Sequence, residues 1–138
     1  MASFNDSVID NFRANDGVLG GHWEGKTTLL LHVRGRKSGR ELVNPLVAAP
    51  DGDSYVVSGS AGGAPDDPQW VANLEAVDGP VTVELGAETV QADARVVRAG
   101  DADWERLYGV WREYWPDAAD YETKTDRKFP VAVITVRG

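Results

Sequence analysis

Cysteine is absent from this 138-residue chain, methionine occurs once and histidine twice. Without thiols there is no disulfide framework, no thiolate nucleophile and no thiolate metal site, which fits a cytoplasmic protein. His22 and His32 share no spacing with carboxylates of the kind that builds a metal centre, so a structural role is expected for both and no metal site is expected. Long hydrophobic runs are missing as well. No stretch approaches the ~20 apolar residues of a membrane span, and the opening MASFNDSVIDNFRAND has early acids and no apolar run of signal length. Any membrane contact is therefore expected to be peripheral. Linkers, low-complexity tracts and internal repeats are lacking too, so residues 1–138 read as one domain whose oligomeric state the sequence leaves open.

The most telling shortage is of positive charge. From Glu41 to Ala94 there is no Lys or Arg, yet ten Asp and Glu residues lie in that span, and the chain carries a net charge of −8. Such a balance excludes general nucleic-acid binding. Against this background Lys26, Arg34, Arg36, Lys37 and Arg40 make up five of only 14 basic residues, so the field has one sharp positive focus. The focus lies in or beside the stretch GRKSGRELVNPL, Gly35 to Leu46, where Gly35, Ser38 and Gly39 suit a tight turn with N–H groups available to an oxyanion. A small, locally bound anion is the expectation. A solvated hairpin tip is the competing reading.

Hydrophobic periodicity supplies the rest of the frame. Ser3 can cap a helix that places Phe4, Val8, Ile9 and Phe12 on one face. Thr27 to Arg34, with Leu29, Leu30 and Leu31 in succession, reads as a central strand covered on both sides. Leu42 to Ala49 and Asp53 to Gly59 follow as strands, with Asn44-Pro45 requiring an edge or a bulge in the first. Asp67-Pro68 reads as an N-cap and first position of a helix burying Trp70, Val71 and Leu74. Val81 to Leu85 and Thr89 to Val97 form a hairpin. A helix from Asp101 repeats Trp104, Leu107, Tyr108, Trp111 and Trp115 before Pro116 stops it, and Val131 to Val136 closes the sheet. Six mostly antiparallel strands with a few helices in so short a chain predict an α+β fold with a small barrel or strongly curled sheet.

Three segments in fixed order, GRKSGRELVNPL, VVSGSAGGAPDDPQWVANLEA at Val56 to Ala76 and YETKTDRKFPVAVI at Tyr121 to Ile134, resemble the deazaflavin-dependent nitroreductase family, and FNDSVIDNFRAN with HWEG resembles its opening. The resemblance implies a split β-barrel of about six strands with two to four helices. It also implies coenzyme F420 as cofactor and hydride transfer to a flat, electron-poor quinone or nitroaromatic acceptor. It implies that Arg36, Lys37 and Ser38 hold the cofactor phosphate, and that Leu42, Val43, Asn44, Pro45, Leu46 and Val47 run beside the ring and ribityl chain. Ser58, Gly59, Ser60 and Ala61 would approach the ring from the next strand, with Gln69, Trp70 and Asn73 closing over it.

Catalytic donors to the acceptor oxygen are sought among Tyr121, Tyr114 and Ser60, since no Ser/His/Asp set or carboxylate pair argues for hydrolysis. Each has a plainer competitor. Tyr121 can instead cap the last strand, Trp70 and the Trp104, Tyr108 and Trp111 stripe can be core alone, and Trp23 can be a lid or a surface anchor. The chain departs from many relatives where Ala61 replaces a Lys, where Asp66 and Asp67 replace basic residues, and where Ala118 replaces a Tyr. The departures at Ala61, Asp66 and Asp67 weaken the case for contacts to the cofactor's oligoglutamate tail, whereas the one at Ala118 falls in the segment facing the substrate, where Tyr114 and Tyr121 are the nearby phenols that can substitute. FMN in place of F420, and a non-catalytic binder of a flat or lipid-like ligand, are the alternatives.

Overall fold

The computed structural model describes residues 4–137, apart from the side chains of Phe4 and His22. The Ser3 cap lies outside the described residues. Seven strands form one antiparallel sheet in the order β2-β1-β5-β6-β7-β4-β3, where β1 is Thr28–Arg34, β2 Glu41–Val47, β3 Ala49–Asp51, β4 Ser54–Ser58, β5 Val81–Leu85, β6 Glu88–Val97 and β7 Val131–Val136. Four helices accompany it: α1 Phe4–Ala14, α2 Gln69–Glu75, α3 Trp104–Tyr114 and α4 Ala118–Glu122. The sheet curls into a split β-barrel.

The covering of β1 follows from its apolar run. Leu29, Leu31 and Val33 face the barrel interior with Val57, Val83, Ala92, Ala132 and Ile134, and Trp70, Val71 and Leu74 of α2 plug that interior. Leu30 points the other way, against Ile9 and Phe12 of α1. The truncation Ile9→Val should lower the unfolding free energy by ~1 kcal/mol, measured by urea denaturation, because it removes one buried methyl group from the contact that docks α1. On the remaining side α3 buries Leu107, Tyr108 and Trp111 against Val56, Val97, Phe129 and Val131. Along β6 the burial alternates as its residue pattern requires, with Ala92 buried between exposed Gln91 and Asp93.

Several boundaries differ from the sequence reading. The stretch Leu42 to Ala49 is not one strand: Ala48 donates its N–H to the Thr27 carbonyl, the chain bends at the fully buried Ala48-Ala49 pair, and Ala49–Asp51 joins the opposite edge of the sheet. Pro45 sits on the edge strand β2, where a missing N–H leaves no inner ladder unsatisfied, and the Asn44 side chain donates to the Leu31 carbonyl at 3.3 Å. Helix α2 begins at Gln69 with Pro68 as its N-cap, one residue later than expected, because the Asp67 carboxylate is engaged by Arg98 and Arg127 instead of capping. Likewise α3 starts at Trp104, and Asp101 accepts the Arg98 N–H in the turn before it. None of the described helices is long and apolar enough to cross a membrane.

Candidate functional site

The turn between β1 and β2 is braced by its own backbone. Gly35 N–H donates to the Arg40 carbonyl at 2.8 Å, Gly39 N–H returns to the Gly35 carbonyl at 2.9 Å, and Arg40 N–H reaches Ser38 Oγ at 3.2 Å. Gly39 has φ +74°, a conformation glycine adopts without strain, and a Cβ on Gly35 would lie 2.6 Å from Ser38 Oγ. Arg34, Arg36, Lys37 and Arg40 therefore project from a small, ordered loop, all exposed.

Their electrostatic position is unusual for an acidic protein. Among the described residues Arg13 pairs with Glu84, Arg95 with Asp103, Arg98 with Asp67 and Glu75, Arg106 with Asp51, Arg112 with Glu122, Arg127 with Asp67 and Arg137 with Asp93. The Arg98 guanidinium holds the Glu75 carboxyl below the ordinary carboxylate range, and Arg13 does the same to Glu84. No carboxylate among the described residues pairs with Arg34, Arg36, Lys37 or Arg40. Arg36 instead donates from Nη1 to Asn73 Oδ1 at 2.6 Å and from Nη2 to Gln69 Oε1 at 2.9 Å. Two neutral amides orient the guanidinium and tie the turn to α2 without cancelling its charge. A cavity of about 520 Å³ opens beside them, lined in part by Arg34, Arg36, Asn73 and Thr82.

From this turn β2 runs along the barrel's edge. Five of its seven residues are apolar, yet none is buried, and Leu42 is 37% exposed. An incompletely covered apolar strand is a surface for a flat apolar ligand. Six residue steps carry the chain ~20 Å from Glu41 to Val47. At the far end Val47 meets a cluster in which half-buried Trp23, Tyr114 and Tyr121 pack on Trp111, Trp115 and Ala118. Trp23 meets Trp115 edge to face at 6.4 Å between ring centres, so it anchors to this cluster.

The two tyrosines are held through their lone pairs. Tyr114 Oη accepts the Thr27 N–H at 2.6 Å, with Lys26 Nζ 4.6 Å over its ring, and Tyr121 Oη accepts the Trp115 indole N–H at 3.1 Å. Neither phenol proton has an acceptor among the described residues, so both remain available for donation. Tyr108 is the contrast: its hydroxyl donates to Glu122 at 2.6 Å, and burial followed by that carboxylate raises its pKa well above the ordinary phenol value.

The third wall is the end of β4 and the loop after it. Ser58 and Ser60 are buried, and Ser58 Oγ has no hydrogen-bond partner, as is true of Thr28 Oγ1 on β1. A buried hydroxyl left unmade costs ~1–3 kcal/mol. Gly59 has a packing reason for its small size: a Cβ there would meet Val71 Cγ2 at 2.7 Å and Pro130 Cγ at 3.1 Å. Ala61, Gly62 and Gly63 have φ of +48°, +67° and +90°, and the space beside Gly63 is filled by the Tyr121 carbonyl of α4. Trp70 belongs to the barrel core at 6% exposure, with Asn73 buried beside it and Gln69 outside.

The fold thus brings Arg36, Gln69 and Asn73 together at one end of β2 and Tyr114 and Tyr121 at the other, with Lys37 and Ser38 on the turn. Sequence reasoning assigned no part to Arg127, whose guanidinium binds the loop carrying Ser60 and Ala61. Its only signal was an arginine in the polar segment before β7. His32 lies between two carboxylates, Nδ1 at 2.5 Å from Glu41 and Nε2 at 2.6 Å from Glu84, which bridges β1 to both neighbouring strands. Among the described residues no group of three His, Asp or Glu side chains could hold a metal ion. Uncompensated cations, an incompletely covered apolar strand and two free phenol protons together fit an extended ligand with an anionic end and a flat ring.

Comparison with known proteins bears on what that ligand is. A family model described as F420H(2)-dependent quinone reductase matches residues 6–136. The F420H(2)-dependent quinone reductase Rv1261c of Mycobacterium tuberculosis is 33% identical over 128 residues, covering 91% of this chain and 85% of that protein. Among solved structures, an F420-H2 dependent reductase, FDR-A, superposes with a TM-score of 0.66 at 30% identity, over 78% of this chain and 92% of that one. A chain described as a domain-swapped dimer gives 0.68 at 26% identity, over 94% of both chains.

Proposed function

This chain belongs to the F420H(2)-dependent quinone reductase family, and on that premise we propose how its residues bring reduced coenzyme F420 and a quinone together for hydride transfer. It is an F420-dependent oxidoreductase. When bound, the coenzyme supplies a hydride from its reduced ring carbon. The protein's contribution is binding, alignment, exclusion of water and proton placement.

Arg36, Lys37 and Ser38 hold the phosphate, with Arg36 oriented by Gln69 and Asn73. Leu42 to Val47 line one side of the ring and its chain. Ser58, Gly59, Ser60 and Ala61 form the facing wall, and Trp70 supports that wall from the core. Tyr121 and Tyr114 donate their free protons towards the acceptor oxygen as negative charge grows on it, each worth ~1–3 kcal/mol at that moment. Ser60 is the third candidate donor. The observation that carries this reading is the run of four unneutralised cations beside an incompletely covered apolar edge strand that ends at two phenols.

Parallel titration with oxidised F420, FMN and a naphthoquinone, followed by quenching of the five tryptophans, tests it. F420 should quench with micromolar or tighter affinity, and reduced F420 should be consumed anaerobically when the quinone is added. A nitroaromatic in place of the quinone tests the second acceptor class. Saturable quenching by FMN and none by F420 would overturn the cofactor assignment.

The oligoglutamate tail gives a separate expectation. Ala61 is exposed beside Gly62, and Asp66 nearby is an exposed acid, so the loop carries no cation of its own, and Lys124, which lies against Gly63, is paired with Asp120 at 3.8 Å. Affinity for F420 should change by less than about threefold between short and long tails. The variant Ala61→Lys should introduce a dependence on glutamate number, read by the same titration.

A further inference from the structure

Arg127 has an environment unlike that of the other ion-paired arginines. Its side chain is 14% exposed, whereas those of Arg13, Arg98, Arg112 and Arg137 are 46–52% exposed. All five guanidinium N–H groups are used. Nε and one Nη2 proton go to the Ala64 carbonyl at 3.1 and 2.9 Å, the other Nη2 proton to the Ser60 carbonyl at 2.9 Å, and Nη1 to the Gly59 carbonyl at 3.0 Å and Asp67 Oδ1 at 2.5 Å. The Phe129 ring lies 4.7 Å away and completes the enclosure.

Four of those five bonds end on the main chain of a single loop. That loop turns through three successive residues of positive φ, one of them the non-glycine Ala61, and such a path persists only where its surroundings impose it. Arg127 imposes it from behind. Because C=O and N–H point in opposite directions across a trans peptide, pinning the Gly59 and Ser60 carbonyls also sets the orientation of the two peptide units that follow. The fifth bond reaches Asp67 at the approach to α2, the helix whose Gln69 and Asn73 orient Arg36.

We infer that Arg127 is a positioning residue: without touching cofactor or acceptor, it holds the 59–64 loop in the one backbone path that makes the site's third wall. This rests on the assignment of that wall to the cofactor given above. Lysine cannot replace it, since a single ammonium cannot reach three carbonyls and a carboxylate arranged as a fork.

The test compares Arg127→Lys and Asp67→Asn with Arg98→Ala, which removes a partner of the same Asp67 carboxylate but touches no loop carbonyl. Each is measured for its thermal midpoint, for amide exchange at Gly63 and Ala64 in the native state, and for the dissociation constant of oxidised F420. The amides of Gly63 and Ala64, which donate to Ser60 and Ala61 within the loop, should exchange at least about tenfold faster in Arg127→Lys, with β5 and β6 unchanged. F420 should bind about tenfold or more weakly to Arg127→Lys, several-fold more weakly to Asp67→Asn and within about threefold of normal to Arg98→Ala. For the variants that turn over, KM for F420 should rise more than kcat falls. Should Arg127→Lys fail to fold, Asp67→Asn carries the comparison, and normal exchange and affinity there would overturn the inference. So would normal affinity in a folded Arg127→Lys, or an equal loss in Arg98→Ala. Absence of F420 binding by the unaltered protein would refute the cofactor assignment, and the exchange measurement would still decide whether Arg127 holds the loop.

Discussion

Replacing Arg36 and Lys37 together by alanine should weaken the binding of oxidised F420 by about a hundredfold, since two charge-assisted contacts of ~1.5 kcal/mol each are lost from one phosphate. Two parts of that effect are separable. Lys37→Ala removes only charge, and its loss should shrink as salt is raised, because the turn is exposed and the Debye length falls to ~3 Å at 1 M. Arg36→Ala also removes the guanidinium bond to the buried Asn73, whose Oδ1 then keeps only the backbone N–H of residue 36, so part of its cost should be insensitive to salt. Tryptophan quenching at two ionic strengths distinguishes them. Unchanged affinity in a folded double variant would place the phosphate elsewhere.

The second large effect is on turnover. Tyr121→Phe removes one hydroxyl whose lone pair is held by the Trp115 indole and whose proton is free, so the group is pre-aimed at little further entropic cost. If it donates to the quinone oxygen as charge develops, kcat/KM should fall by roughly ten- to a hundredfold, equivalent to ~1.4–2.7 kcal/mol of transition-state stabilisation. F420 affinity should stay within about threefold, and stability should fall by ~1 kcal/mol from loss of the indole bond. Stopped-flow reduction of a quinone under anaerobic conditions measures the first quantity. Full turnover in Tyr121→Phe would transfer the role to Tyr114, whose oxygen is fixed by the Thr27 N–H, or to Ser60.

What could be read in advance divides by the range of the interaction involved. The basic turn was legible because its cations are contiguous and its glycines local, and the two-sided burial of β1 because three leucines in succession admit no exposed face. One proline narrowed β2 to an edge or a bulge, and the fold realises the edge. Asp67 was misread because a carboxylate before a proline suits a helix cap locally, whereas Arg98 and Arg127, 31 and 60 residues away, win it in the fold. Gly59 was read as part of the wall approaching the ring, and the tight neighbours that by themselves require its small size, Val71 and Pro130, belong to a helix and a strand approach that no local pattern announces. Arg127 escaped for the same reason: four of its five bonds end on carbonyls, which every residue carries, so nothing in the side-chain alphabet marks them.

The strand order has a temporal consequence. β7 lies between β6 and β4, so until it inserts, the hairpin of β3 and β4, with the loop that leads from it, has no ladder joining it to the other four strands. Arg127 precedes β7 by a few residues, and arrives with it. During synthesis the basic turn and the apolar edge strand are complete early, but the wall opposite them waits for the last strand made. F420 that needs both walls binds the native state alone, so each tenfold excess over its dissociation constant adds ~1.4 kcal/mol to the stability of a structure whose closing ladder joins residues as far as 81 apart in sequence.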